Sequence, residues 1–107
     1  MDWDIINQSY SYDIVQDYFK NCNLLDYKLT DGYCGAGDAY IVCQDGDNII
    51  YFEWSWGSCS GCTQDVTSDT ISHSKAVFSN YVEFVQFVNN LSESHYNKNN
   101  LMQFINR

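Results

Sequence analysis

An α+β fold is predicted by three features of the sequence. Two β-rich segments flank a DGDN turn, an amphipathic segment lies near the N-terminus, and a broad helical apolar rhythm lies near the C-terminus. At 107 residues the chain suits one domain, residues 1–107. The expected architecture is a small antiparallel sheet of about three or four strands. An N-terminal helix and one long C-terminal helix would pack on it, the long helix on its apolar face.

Each element has its own warrant. Ser11 is placed to cap a helix over about Tyr12 to Cys22, in which Ile14, Val15, Tyr18, Phe19 and Cys22 recur at helical spacing. Asp13 in the first turn suits the helix dipole, and Asn23 suits a left-handed stop. LLDYKL, residues 24–29, reads as a first strand with Leu25, Tyr27 and Leu29 on one side. AYIVCQ (39–44) and NIIYFEWSW (48–56) are rich in β-branched and aromatic residues, and the intervening DGDN favours a hairpin. Alternation puts Ile50, Phe52, Trp54 and Trp56 on a core face and turns Ile49, Tyr51, Glu53 and Ser55 away. It also makes Cys43 a small buried hydrophobe. Residues 63–75 are polar and give no clear element. KAVF (75–78) suits a short strand. Asn80 and Glu83 are spaced for a capping box opening a helix to about Leu91. Its apolar residues, Tyr81, Val82, Phe84, Val85, Phe87, Val88 and Leu91, exceed what one sheet contact requires. Either other elements cover this helix or it meets a partner, a second copy included. Leu101, Met102, Phe104 and Ile105 mark a short closing helix.

Charge narrows the function. Residues 1–69 hold twelve acids against Lys20 and Lys28, whereas residues 70–107 carry a net charge of +1. Direct nucleic-acid binding is disfavoured, because phosphate contacts need Lys and Arg. A basic partner, a cation or solubility alone suits such a surface. No apolar run approaches a membrane span, and MDWDIINQSY lacks the basic start and apolar block of a signal peptide. The expectation is therefore a cytoplasmic protein, with its five cysteines as thiols, ligands or core residues.

The most distinctive stretch is WSWGSCSGCTQD, residues 54–65. Cys59 and Cys62 have the spacing of half a zinc site, which needs four ligands. Cys34 lies in a loop that a hairpin would bring close, and His73 is the nearest imidazole, with Cys22 or Cys43 as substitutes. The competing reading is a tight Gly/Ser turn with buried thiols. A thioredoxin-type redox site fits poorly, since the chain has no proline to face the thiols. An acidic surface would also raise a thiol's pKa. GYCGAGD lacks the P-loop and dinucleotide patterns. DGDN fails as a calcium loop because Trp56 stands where the bidentate Glu belongs.

GYCGAGDAYIV (32–42) and FEWSWGSCSGC (52–62) together resemble a pattern in small acidic proteins of bacteriophages and mobile elements. Gly37-Asp38 and the run from Trp56 to Cys62 carry the likeness. Thr63 stands where Asp is usual, and Asp65 falls two residues later. The resemblance implies a context rather than a reaction. It implies a non-enzymatic protein of the host-cell cytoplasm, anti-CRISPR-like, that mimics DNA and occupies a basic nucleic-acid site of a defence protein. Asp13, Asp17, Asp26, Asp31, Asp38, Asp45, Asp47, Asp65 and Asp69 are the candidate partner-binding carboxylates. The alternative is a zinc-stabilised interaction module that docks or dimerises through the 81–91 helix, and a thiol enzyme using the CxxC pair is third.

Overall fold

The computed structural model describes residues 3–6, 11–31, 36–57 and 66–107. A 3-10 turn, Trp3–Ile6, precedes helix α1, Tyr12–Phe19, and strand β1, Asn23–Asp31. Strands β2, Gly37–Asp45, and β3, Asn48–Trp56, follow. Then come helix α2, Ser68–Ser74, strand β4, Ala76–Phe78, and helices α3, Tyr81–Asn89, and α4, Lys98–Ile105. The strands form one antiparallel sheet in the order β1-β2-β3-β4. The fold is α+β, with the helices on both faces of the sheet.

The expected helices do pack on a four-stranded antiparallel sheet, and they cover both of its faces rather than one apolar face. Ile50, Phe52, Trp54 and Trp56 do line one core, joined by Ala39, Ile41 and Cys43 of β2 and by Tyr12, Val15 and Phe19 of α1. The opposite face is also buried. Tyr40, Val42, Ile49 and Tyr51 pack there with Phe84 and Val88 of α3 and Leu101 of α4. Helix α3 therefore sits on the side that alternation turned away from the expected core face. Period-2 patterning separates two faces, but it cannot say how many of them are covered. Burying Phe84 completely stabilises the packing by about 2–3 kcal/mol. Phe84 stacks edge-on with Phe104 of α4 and with Phe78 of β4, which accounts for much of the breadth of the apolar surface of α3.

The hairpin forms as expected. Asp45 pairs with Asn48, and Gly46 takes a φ of 62°, the positive value that a two-residue hairpin turn of the II′ type needs at its first central position. Strand β1 departs from simple alternation. A bulge between Leu24 and Asp26 puts Leu24, rather than Leu25, on the side of Tyr27 and Leu29, and Leu25 packs in the second core. Gly37 has a packing reason to be glycine. A Cβ there would come within 2.6 Å of the Thr30 carbonyl oxygen and closer still to the Trp56 ring.

Helix ends follow local chemistry, with exceptions. Asn80 Oδ1 accepts from the Glu83 amide at 2.9 Å, and Glu83 Oε2 accepts from the Ser79 amide at 2.9 Å, a reciprocal cap. Thr67 caps α2 by accepting from the Thr70 amide at 3.2 Å. Ser11 makes no side-chain cap and instead takes a left-handed φ of 63°. Helix α1 ends at Phe19 rather than Cys22, and Asn23 begins β1 without a positive φ. No helix among the described residues is long and apolar enough to cross a membrane.

Candidate functional site

The candidate surface lies where α1 meets α2, outside the first core. Tyr12, Val15 and Phe19 turn inward at i, i+3 and i+7, which leaves Asp13, Ile14 and Asp17 on the outer side of α1. Ile14, expected in the core, is 39% exposed. Tyr18 is half-buried at the edge of α1. Its hydroxyl accepts a hydrogen bond from Lys75 Nζ at 3.0 Å, and the ammonium lies 4.9 Å from the ring centroid. The Lys75 hydrogen bond is the main reason that the Tyr18 phenol titrates below its ordinary value, and burial opposes it. Asp13, Ile14, Asp17 and Tyr18 of α1 face Val66, Thr67 and Ser68 at the start of α2 across an open groove of about 650 Å³. Its floor is partly apolar and one rim is acidic.

The carboxylates of this rim are solvated. The Asp17 side chain is 79% exposed and pairs with Lys20 at 3.3 Å, an exposed contact worth little stability. Asp69, in the first turn of α2, is exposed as well. Asp4 accepts from Gln16 Nε2 at 3.1 Å. Asp45 and Asp47 are exposed at the β2–β3 turn.

The remaining candidates are dispersed. Asp38 is half-buried on β2 on the side of Tyr40, where its charge and that of Glu53 add to burial in pushing the Tyr96 phenol up to about 12. Asp31 closes β1 opposite Gly37. Asp65 lies outside the described residues. Asp26 does not belong to an exposed array: it is only 6% exposed. Tyr40 Oη donates to Asp26 Oδ2 at 2.9 Å, and the Arg107 guanidinium stands 3.8 Å from Oδ1. Burial raises the Asp26 pKa, while Tyr40, the Tyr27 amide and Arg107 pull it back. Its parity was legible, but the packing of the second helical layer over that face was not.

Of the expected zinc ligands, Cys34, Cys59 and Cys62 lie outside the described residues. His73 is exposed in the last turn of α2, where Nδ1 donates to the Asp69 carbonyl at 2.7 Å, so Nε2 is the nitrogen left for a metal. Among the described residues no group of three or more His, Cys, Asp or Glu side chains converges on a metal position. Cys43 is fully buried, and Cys22 beside it is half-buried. Burial raises both thiols, and each is influenced by the other and by the Asp45 charge.

A polar cluster that sequence inspection missed ties α4 to the sheet. Asn97, 2% exposed, donates from Nδ2 to Tyr51 Oη and to Glu53 Oε2, each at 3.0 Å. Tyr51 Oη also donates to Glu53 Oε2. The Asn97 amide donates to His95 Nδ1 at 3.2 Å, which leaves the proton of a neutral ring on Nε2, 3.5 Å from Glu53 Oε2. Both ring nitrogens are engaged, so His95 serves better as a brace than as a general base.

No family model, curated protein or solved structure matches the chain.

Proposed function

We propose that this chain is a non-enzymatic, acidic binding protein of viral or mobile-element origin, an anti-CRISPR-like inhibitor that occupies a basic nucleic-acid site of a host defence protein. One observation carries it: exposed Asp13, Asp17 and Asp69 share the outer α1–α2 layer, within residues 1–69, whose net charge is −10. Clustered carboxylates of this kind raise the local concentration of a basic partner and steer its encounter. The carboxylates are not all on one side, because Asp38 faces the second layer and Asp26 is buried. The mimicry therefore centres on α1 and α2, with Asp45 and Asp47 as outliers.

The test is competition. The purified chain is titrated into RNA-guided host nucleases, and residual cleavage is followed as target DNA and salt are varied. Inhibition should be relieved by excess DNA, should weaken as salt rises, and should fall with Asp13→Lys/Asp17→Lys. Inhibition indifferent to salt and to charge reversal would sink the proposal. A second reading keeps some support from α3, where Tyr81 and Val82 are 41% and 64% exposed. It is a zinc-stabilised module, with Cys34, Cys59, Cys62 and His73 as the ligands, docking or dimerising through that helix. Native mass spectrometry showing one zinc per chain, with association lost in Val82→Asp and unchanged by Asp13→Lys/Asp17→Lys, would select it.

A further inference from the structure

The groove between α1 and α2 combines two chemistries that solubility alone does not require together. Ile14 is solvent-exposed between Asp13 and Asp17, and the floor beside it is made by Tyr18 and the buried Val66. Solubility does not require an apolar residue between the two carboxylates, although single exposed apolar side chains are common on soluble proteins. A surface that copied only the charge of nucleic acid would likewise have no use for an apolar floor.

We infer that this groove takes a basic, amphipathic segment of a protein partner, with an apolar side chain seated against Ile14, Tyr18 and Val66 and cationic side chains beside Asp13 and Asp17. This rests on the binding role proposed above and names the surface and the partner chemistry for it. Charge complementarity decides the occupant. Phosphate-bearing ligands are repelled by the acidic rim. A second copy would bring its own Asp13 and Asp17, on a chain of net charge −9, against the same carboxylates. Free cations would gain nothing from Ile14. Lys20 pairs with Asp17 at 3.3 Å, but that contact is exposed and weak enough for a partner cation to displace, and the Lys75 ammonium is held on the Tyr18 hydroxyl and ring rather than on the rim. The volume of about 650 Å³ lies in the range of pockets that enclose a few side chains or a small ligand.

The experiment is an amide-resolved NMR titration of the full chain with two probes: a short Leu/Lys amphipathic peptide, and a Lys/Ser peptide of equal charge with no apolar residues. The Leu/Lys peptide should move the amides of Ile14, Asp17, Thr67 and Ser68 and bind about tenfold more tightly than the charge-only peptide, a ratio reached by about 1.4 kcal/mol of apolar contact. Ile14→Ser should remove that preference and leave the charge-only peptide unaffected. Because Ile14 is solvent-exposed, the variant should keep its fold, and unchanged Phe84 and Val88 amides check this. Asp13→Asn/Asp17→Asn should weaken both peptides and flatten their salt dependence. Shifts spread over α3, α4 or the β2–β3 turn would overturn the assignment of the groove, as would equal binding of the two peptides. Concentration-dependent shifts without any peptide would replace it with self-association. If salt-sensitive inhibition of a host nuclease survives Ile14→Ser and Asp13→Asn/Asp17→Asn, the groove fails but the acidic inhibitor stands on its other carboxylates. If that inhibition is absent while the Leu/Lys preference and its loss in Ile14→Ser hold, the inhibitor reading fails and the groove stands as a docking surface for a basic amphipathic segment.

Discussion

Replacing Asn97 with Ala should be among the most damaging single changes outside the two hydrophobic cores. Asn97 stands at the entry to α4, and its side-chain amide donates to Tyr51 Oη and to Glu53 Oε2, each at 3.0 Å, in a site that is 2% exposed. A hydrogen bond to a charged acceptor contributes about 1.5–3 kcal/mol and one to a neutral acceptor about 0.5–1.5. Glu53 is half-buried, so water can compensate part of the loss at the carboxylate. The expected cost of Asn97→Ala is therefore about 2–3 kcal/mol, a large fraction of the stability of a domain this size. Urea unfolding, followed by the fluorescence of Trp54 and Trp56 in the first core, measures it. With a denaturant slope of about 1–1.5 kcal/mol per molar, the midpoint should fall by roughly 2 M with the slope unchanged. Glu53→Gln completes a double-mutant cycle, in which the two changes should couple by about 1 kcal/mol or more. A midpoint within about 0.3 M of the parent, or additive losses, would show that the network is solvated and does not fasten α4 to the sheet.

Other outcomes follow from single sites. Asp26 has its folded pKa raised above the ordinary carboxylate value, so the folded chain holds the proton more tightly than the unfolded one. Its stabilising contribution is complete below the unfolded pKa and is lost as pH rises through the folded one. Thermal melts of Asp26→Asn against the parent should thus show the variant gaining relative stability as pH rises across that window, then a constant difference; a pH-independent difference refutes the assignment. Gly37→Ala forces a Cβ against Trp56 and the Thr30 carbonyl and should cost about 1–3 kcal/mol in urea unfolding, with Trp56 emission altered. Ser11→Gly should instead stabilise by about 0.5–1 kcal/mol, because φ is 63° there and no side-chain cap is lost. Loss of stability in Ser11→Gly would mean that the hydroxyl has a role outside the cap.

Much of the fold was legible in residue patterns that act over a few positions. The β2–β3 hairpin is dictated by DGDN, where Gly46 supplies the positive φ, and by flanking β-branched and aromatic runs. The start of α3 is dictated by Asn80 and Glu83, which satisfy backbone donors within one turn. The charge asymmetry is a property of composition alone. Misreadings began where local patterns were compatible with two outcomes. Ser11 has the chemistry of a cap, yet its φ of 63° lies in the left-handed region and its side chain makes no cap. The LLD segment alternates well, yet a bulge shifts Leu24 to the side of Tyr27. Helix α2 went unread because SDTISHS is short and contains one apolar residue, Ile71, whose burial comes from the first core rather than from any periodicity.

The candidate site was half legible for the same reason. Asp13 and Asp17 four residues apart on one helix face are visible in the sequence, since helical geometry alone brings them together. The groove is not visible there. It exists because α2 arrives from beyond β3 and lies beside α1, bringing Val66 and Thr67 opposite Ile14 and Lys75 onto Tyr18. The sequence by itself thus determined the strands, the hairpin, the capped helix and the sign of the surface, all consequences of short-range geometry and composition. Only the tertiary structure decided that both sheet faces are covered, that Asp26 is buried while Ile14 is exposed, and that α4 is braced through Asn97. Those outcomes depend on which distant elements pack together, and packing between residues far apart in the chain leaves no local periodicity to read.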